Sequence, residues 1–428
     1  MKSLITLYSE KKDLVLTFNS ESQEIVKALF KLLALFSEIK NSNYNLKILQ
    51  KKTADLYNRI DTFTESYKDD SNNFLKLRSF IKDLEDNEWF YIIPLSIQNL
   101  DKTIEIKTSL ELLNQGYAIE DIDEMINERK KKYNELFCNV LKNYEIISFP
   151  SDKKIFIGEP NKRKRKCRFC KRTMEEGASF KNVAHSIPES LGNKKIINNE
   201  ECDECNDKFG KEIEVNLIQW LDIFRVFWGV KGKRKIPKIK FKDGNSFTYE
   251  NGNPTIKYVI DSETKVENEP TEIILNPFDN INYNNVYRSL CKITIGIIDS
   301  KLLKHFEKTI KWINNEITIN KDDKLPKVAH LIIPTKYFDQ PEITLYIRKN
   351  ENIKLPFVVS EFKIFSFVYV FIIPFCNKDK QKFVTKKEYD FFWAIFKHYH
   401  SFKNWSFQDL SIDEEKERLI KLNFQKRV

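Results

Sequence analysis

Over the first third of the chain, apolar residues recur at every third or fourth position, a pattern that predicts amphipathic helices. One such stretch starts at Ile25, behind a capping-box pattern at Ser20 to Gln23, and another covers residues 122–144. We interpret these stripes as helix faces that pack into a core. They predict a helical N-terminal domain, residues 1–150, that carries no visible chemistry.

Further along, the pattern changes to a short strand, a Gly-Glu-Pro turn and a basic run. A long amphipathic helix is predicted from about Asp203 to Trp228, within a central module of residues 151–235. The remaining residues, 236–428, mix strand-like stretches with a helical stretch at about 286–313. The resulting fold class is multidomain α+β, with a helical N-terminal domain, a central module and a mixed α+β C-terminal domain.

The composition supports packed domains and argues against a membrane protein. With 428 residues, the chain exceeds one typical core, and a 41% hydrophobic share excludes a disordered chain. The apolar run 364–375 is much shorter than the roughly 20 residues that cross a bilayer, so it predicts a buried strand. No signal-peptide pattern opens the chain, which predicts a cytoplasmic location.

Two Cys-x-x-Cys pairs, Cys167/Cys170 and Cys202/Cys205, are the strongest chemical feature of the sequence. Four thiolates in two close pairs are the ligand set of a closed tetrahedral zinc site, because each pair holds the metal from one tight turn. A purely structural staple, disulfides and coincidence are the alternatives. The pairs predict a structural Zn²⁺ ion, with the segment between them free to carry chemistry.

The order of residues in this region resembles the HNH endonucleases, also called ββα-metal nucleases, in their zinc-containing branch. The resemblance rests on Cys167-x-x-Cys170, Ala184-His185-Ser-Ile-Pro-Glu-Ser-Leu-Gly and Glu201-Cys-Asp-Glu-Cys-Asn206. The sharper pattern is similar to one HNH family that is often fused to sensor or defence modules. It implies a ββα-metal fold for the central module, nuclease activity on DNA, and a role against phage.

His185 is the candidate general base. A neutral histidine can take a proton from water near pH 7, and hydrolysis of a phosphodiester needs an activated water. Asn206 directly follows a predicted zinc ligand, so its amide oxygen could bind a catalytic Mg²⁺ or Mn²⁺ ion. The resemblance implies that Asn199 orients the histidine ring, with Asn198 as the alternative counterpart.

The sequence departs from the wider HNH pattern at Ala184, where many relatives carry a metal-binding Asp. A carboxylate must then come from elsewhere, or water must complete the metal shell. Glu214, Glu189 and Asp207 are the candidates.

Two basic runs flank the central module and are predicted to contact phosphates without reading bases, with solvated linkers as the alternative. A net charge of +10 is compatible with a polyanionic partner. The predicted nucleic-acid-binding residues are Lys162, Arg163, Lys164, Arg165, Lys166, Lys233, Arg234 and Lys235.

The sequence therefore predicts a metal-dependent HNH endonuclease that acts on DNA in anti-phage defence. A homo-oligomer or a defence-system protein is a possible partner, and a membrane is not. The alternatives are a non-catalytic zinc-ribbon protein that binds nucleic acid and an RNA-directed nuclease.

Overall fold

The computed structural model describes residues 2–19, 22–40, 43–69, 71–94, 100–149, 154–231, 235–242, 244–257, 272–277, 279–319, 323–333, 337–417 and 420–423. The chain divides into two compact units, Met1–Glu135 and Leu136–Val428. Among the described residues, no helix is both long enough and apolar enough to cross a membrane.

The first unit combines helices with strands. Its strands are β1 (Lys2–Tyr8), β2 (Asp13–Asn19), β3 (Ser37–Lys40), β4 (Asn43–Leu46), β5 (Leu49–Lys51) and β6 (Trp89–Ile93). Its helices are α1 (Gln23–Leu35), α2 (Ala54–Tyr67), α3 (Asn72–Lys82), α4 (Leu100–Asn114) and α5 (Ile122–Asn143), the last of which continues past residue 135.

An antiparallel sheet, in the order β2-β1-β6-β5, forms one side of the core of this unit. Leu7, Leu16 and Phe18 are buried in that core together with side chains of α1, α2 and α3. The first unit is therefore α+β, and the prediction of a helical domain is wrong for the sheet. Consecutive apolar residues in these two strands, Leu4-Ile5 and Leu14-Val15-Leu16, interrupt the alternation that would otherwise indicate a strand.

The start of α1 also differs from the prediction. The helix begins at Gln23, and the side chain of Ser22 caps it by accepting a hydrogen bond from the backbone N–H of Ile25. The predicted capping box at Ser20 is therefore wrong, and Ser20 itself lies outside the described residues.

The second unit contains the remaining elements. Its helices are α6 (Asp203–Glu212), α7 (Glu214–Phe227), α8 (Tyr283–Ile297), α9 (Glu307–Ile313) and α10 (Lys386–Trp393). Its strands are β7 (Tyr144–Phe149), β8 (Ile155–Ile157), β9 (Ile196–Asn198), β10 (Ile239–Lys240), β11 (Ser246–Glu250), β12 (Asn253–Lys257), β13 (Glu272–Leu275), β14 (Ile281–Asn282), β15 (Val328–Ile332), β16 (Phe338–Arg348), β17 (Val358–Phe365), β18 (Phe367–Ile372), β19 (Ser406–Gln408), β20 (Glu415–Lys416) and β21 (Ile420–Asn423).

A six-stranded sheet, in the order β19-β15-β18-β17-β16-β7, organises this unit. Alternate residues of β18 enter different cores: Phe367 and Phe371 pack in the core that holds α8, and Val368 and Val370 in the core that holds α10 side chains. Because both faces are covered, the strand is apolar at almost every position. This explains the apolar run from 364 to 375, which contains the predicted buried strand.

The long helix predicted from Asp203 to Trp228 is two helices, α6 and α7, that meet at Ile213. The backbone of Ile213 has φ −117° and ψ −44°, away from regular helical values, and the side chain of Asn216 donates to the carbonyl of Glu212. The break places Glu214 in the first turn of a new helix. The apolar periodicity continues across it, so the sequence pattern does not reveal the break.

The central module shares its core with the C-terminal part of the chain. Side chains of the two cysteine pairs, of α6 and of α7 are buried in one cluster with side chains of α8, α9 and the six-stranded sheet. In addition, β7, which lies inside the predicted N-terminal domain, pairs with β16 along its whole length. The compact division at residue 135 thus differs from the predicted boundaries at 150 and 235.

Candidate active site and zinc site

The four cysteines of the two pairs come together in space. Cys167 and Cys170 lie in a tight turn that ends with Lys171 at φ 63°, and Lys171 donates its backbone N–H to the carbonyl of Cys167. Cys202 caps the N-terminus of α6, and Cys205 lies in its first turn. All four Sγ atoms lie within 4.8 Å of one another.

This geometry fits a tetrahedral zinc ion. Four Zn–S bonds of about 2.3 Å place the sulfurs about 3.8 Å apart, and the Sγ atoms of Cys170 and Cys202 are 3.7 Å apart. The cysteines are free thiols, which excludes the disulfide alternative. Hydrogen bonds from the thiols of Cys202 and Cys205 lower the pKa of Cys167, while the pKa values of Cys202 and Cys205 themselves are raised, so Cys167 is the favoured thiolate of these three residues.

His185 lies on an extended segment that pairs with β9. It forms an antiparallel bridge with Ile197, and the flanking residues bond on both sides: Asn198 donates its N–H to the carbonyl of Ala184, and Ser186 donates to that of Ile196. Since β9 also pairs with β8, the His185 segment, β9 and β8 form a small three-stranded arrangement. Helix α6 follows β9 in the chain. Strands followed by a helix are the order expected for a ββα-metal module.

The surroundings of His185 favour its neutral form. The ring is half-buried, and its Nδ1 atom is buried without a hydrogen-bond partner among the described residues. Burial lowers the pKa of His185, and the charges of Lys194, Lys292 and Lys154 lower it further, against the opposing effect of Glu189. A neutral imidazole at pH 7 is the form that a general base requires.

Neither asparagine of the predicted pair bonds to the histidine ring. Asn199 is buried, and its amide oxygen accepts a hydrogen bond of 2.9 Å from Arg165. Asn198, the alternative counterpart, bonds through its backbone to Ala184, and its side chain donates to Glu201 at 3.2 Å. Asn198 is therefore the asparagine that is linked to the strand of His185, whereas Asn199 anchors the turn that contains Arg165.

Residues 167–221 match the model of a family described as HNH endonuclease. This segment carries the HNH signature. The match includes both cysteine pairs, His185, Asn198, Asn199 and Asn206. Neither a curated protein nor a solved structure matches the chain.

A buried ionic cluster that was not predicted from the sequence joins the HNH segment to α8. The ammonium of Lys292, from α8, is 2.9 Å from a carboxylate oxygen of Glu201 and 2.9 Å from one of Glu214. The side chains of Lys292 and Glu201 are 0% exposed. The signal in the sequence was a lysine in the apolar stretch Leu290-Cys-Lys-Ile293, which predicts a buried cation with an acidic partner.

The candidate ligands of a catalytic divalent ion do not form a complete cage. Asn206 lies half-buried on α6. Each candidate carboxylate has a lysine partner: Glu214 pairs with Lys292, Glu189 with Lys194 and Asp207 with Lys211. Within the described ranges, the four cysteines are the one group of three or more His, Cys, Asp or Glu side chains that lie close enough together to hold a metal ion.

The first basic run divides into exposed and buried members. Lys162, Arg163, Lys164 and Lys166 are exposed, and the first three form a short 3₁₀ turn that Asn161 caps. Arg165 is 9% exposed, and its guanidinium donates to two backbone carbonyls and to Asn199. Arg165 therefore holds the turn together and is removed from the predicted phosphate contacts.

In the second basic run, Lys235 is exposed, while Lys233 and Arg234 lie outside the described residues. Two other histidines lie outside the HNH region of the chain. His330 lies on β15 and stacks on Tyr369 with ring centroids 4.8 Å apart, and both ring nitrogens of His398 are buried without a hydrogen-bond partner among the described residues.

Proposed function

We propose that this protein is a metal-dependent HNH endonuclease that hydrolyses phosphodiester bonds in DNA, with His185 as the general base. The observation that carries this proposal is the match of residues 167–221 to the HNH endonuclease family, within which His185 is half-buried and favoured in its neutral form. The zinc-binding geometry of the cysteines supports a structural role for zinc, because all four positions of a tetrahedral ion are taken.

In this mechanism, the imidazole of His185 removes a proton from the water that attacks the phosphorus atom. Pairing with β9 fixes the backbone of His185. Lys194 and Lys154, which act electrostatically on His185, lie where they can attract a phosphate group.

A bound Mg²⁺ or Mn²⁺ ion would neutralise charge on the phosphate and stabilise the leaving oxygen. Asn206 is the residue that would hold it, with water and phosphate oxygens completing the shell. This arrangement suits Mg²⁺, which keeps several waters and binds through few protein ligands. No carboxylate ligand is assigned.

The choice of DNA over RNA, the role in anti-phage defence and the cytoplasmic location follow from the family resemblance and the sequence. The exposed turn of Lys162, Arg163 and Lys164 supports a polyanionic substrate. We assign a regulatory or assembly role to the first unit, residues 1–135, because a nuclease needs restraint in its host. That role includes contact with a second copy or with a defence-system protein.

The deciding experiment measures cleavage of supercoiled plasmid by zinc-loaded protein with Mg²⁺ or Mn²⁺, alongside duplex RNA. The His185→Ala variant should lose at least ~10²-fold in rate, the usual contribution of a general base, while zinc content and melting temperature stay unchanged. The exposed His400 provides the control, since His400→Ala should cleave like the wild-type protein.

Three outcomes would contradict this proposal or part of it. Retention of full, EDTA-sensitive activity by His185→Ala would remove His185 from its role. Tight DNA binding without cleavage by the wild-type protein would identify a non-catalytic zinc module, and cleavage of RNA alone would identify an RNA nuclease.

A further inference from the structure

The buried ionic cluster of Lys292, Glu201 and Glu214 includes one residue, Lys292, that the family match does not cover. Lys292 belongs to α8, which lies beyond the matched residues 167–221, and its side chain is fully buried. Burying a lysine side chain costs free energy unless its charge is paired and its N–H donors have acceptors. The partners of Lys292 therefore indicate which part of the molecule its ammonium stabilises.

Lys292 has three partners, and all three belong to the HNH segment. Its Nζ lies 2.9 Å from Glu201, 2.9 Å from Glu214, and 3.5 Å from the backbone carbonyl of His185. An ammonium has three N–H donors. The three oxygen atoms near this ammonium come from the His185 strand, the loop before α6 and the first turn of α7.

The two carboxylates are not equivalent. Glu201 is fully buried and also accepts a hydrogen bond from the side chain of Asn198, whereas Glu214 keeps an 11% exposed side chain. Lys292 itself stays protonated, because the two carboxylates outweigh the cost of its burial.

The same ammonium acts on the histidine ring. Among the charged groups around His185, the three lysines Lys194, Lys292 and Lys154 oppose protonation, and Glu189 favours it. Of these lysines, Lys292 is the one that also bonds to the backbone of His185.

We infer that Lys292 is a positioning residue of the nuclease site. From a helix outside the HNH segment, its ammonium holds together the backbone carbonyl of His185 and the side chains of Glu201 and Glu214. This inference rests on the proposed function. It means that the active site of this chain is completed by α8, which contributes no group to the reaction itself.

The test compares Lys292→Met with the triple variant Lys292→Met/Glu201→Gln/Glu214→Gln in the full-length, zinc-loaded protein. The single variant leaves two carboxylates buried without a cation and is expected to lose stability. The triple variant removes the charges together and should fold with its zinc. Its kcat should nevertheless fall by about 10- to 100-fold with little change in KM, because the base is no longer held in place.

The second measurement follows the ring protons of His185 by NMR as pH varies, without a divalent metal other than zinc. The titration midpoint of His185 should move in the triple variant, because the ammonium beside its backbone and the two carboxylates that face that ammonium have all been removed. The matched control is Arg288→Met/Asp413→Asn, which removes the ion pair of a buried arginine one turn earlier on α8. It should change stability but neither kcat nor the midpoint.

Two results would overturn the positioning role. One is a folded triple variant with wild-type kcat and an unchanged midpoint. The other is a triple variant that fails to fold or to bind zinc, because Lys292 would then serve the fold as a whole. The NMR titration is independent of activity, so a protein without nuclease activity would refute the proposed function while leaving the effect of Lys292 measurable.

Discussion

At His185, burial and the charges of three lysines act in the same direction, and both lower the pKa of the ring. If the neutral ring is the base, kcat/KM should fall as pH drops through the pKa of His185. Because that pKa lies below the ordinary 6.5, the midpoint of the acid limb should also lie below 6.5. A pH–rate profile at saturating Mg²⁺ measures it.

The control for this prediction is His400→Gln, which changes an exposed histidine and should leave the profile unchanged. An acid limb centred above 6.5 would contradict the favoured neutral form. Persistence of the limb in the residual activity of His185→Ala would assign it to another group.

Among single residues, the sequence predicted those whose spacing carries chemistry. The cysteines and His185 stand in a pattern that few other sites share, and the cysteine cluster is confirmed. The buried hydrogen bond between Arg165 and Asn199 was not predicted, because the sequence of a basic run or a polar turn does not show which of its residues are buried. Lys292 was missed because its partners lie far from it in the sequence.

At the scale of elements, the zinc turn and the start of α6 depend on the metal. Cys202→Ser should release the zinc ion and unfold the cysteine segment, because metal binding supplies part of its folding free energy. The core of the first unit contains none of these residues and should persist. Elemental analysis measures the loss of zinc, and separate melting transitions for the two units measure which of them unfolds.

The exposed Cys138 serves as the matched control, since Cys138→Ser should keep one zinc per chain. Active wild-type protein that contains no zinc would refute the zinc site.

The 3₁₀ turn of Lys162, Arg163 and Lys164 should contribute to DNA binding through charge alone. Replacing these residues and Lys166 with glutamine should weaken binding similarly for all sequences. It should also reduce the slope of log affinity against log salt by about one for each lost phosphate contact. Binding titrations at several salt concentrations give the slope.

The comparison variant is Arg165→Gln, in which a buried anchor of the same run is lost. It should lower the melting temperature without a matching change in slope. An unchanged slope in the quadruple variant would make the exposed turn a linker.

Elements with long, regular apolar patterns were predicted best. The helical stripes of α1 and α5 and the buried strand β18 are confirmed, although α5 ends at Asn143 and Tyr144 begins β7. Short strands such as β1 and β2, and the break at Ile213, were not predicted. In these cases tertiary contacts, rather than the local pattern, determine the backbone.

For the whole molecule, the shared core predicts which fragments fold. A fragment of residues 136–428 should fold, bind one zinc and keep the cleavage activity of the full chain, or exceed it if residues 1–135 restrain the site. A fragment of residues 151–235 should not fold, because it lacks α8 and the sheet that bury its apolar side. Calorimetry, zinc analysis and plasmid cleavage test both fragments.

A cooperative melting transition in the 151–235 fragment would contradict the shared core. Equal rates for the full chain and the 136–428 fragment, over a wide concentration range, would argue against a restraining first unit. A targeting role would then be the better account of residues 1–135.

The pairing of β7 with β16 has a consequence for the order in which a ribosome produces this protein. Residues 144–149 leave the ribosome before the HNH segment, yet their partner strand, residues 343–348, is made long after it. At typical rates of synthesis, on the order of ten seconds pass between the two. During that time the HNH segment also lacks Lys292 and the rest of its core. Nascent chains, and those cut short before α8, should therefore be harmless to the DNA of the cell that makes them.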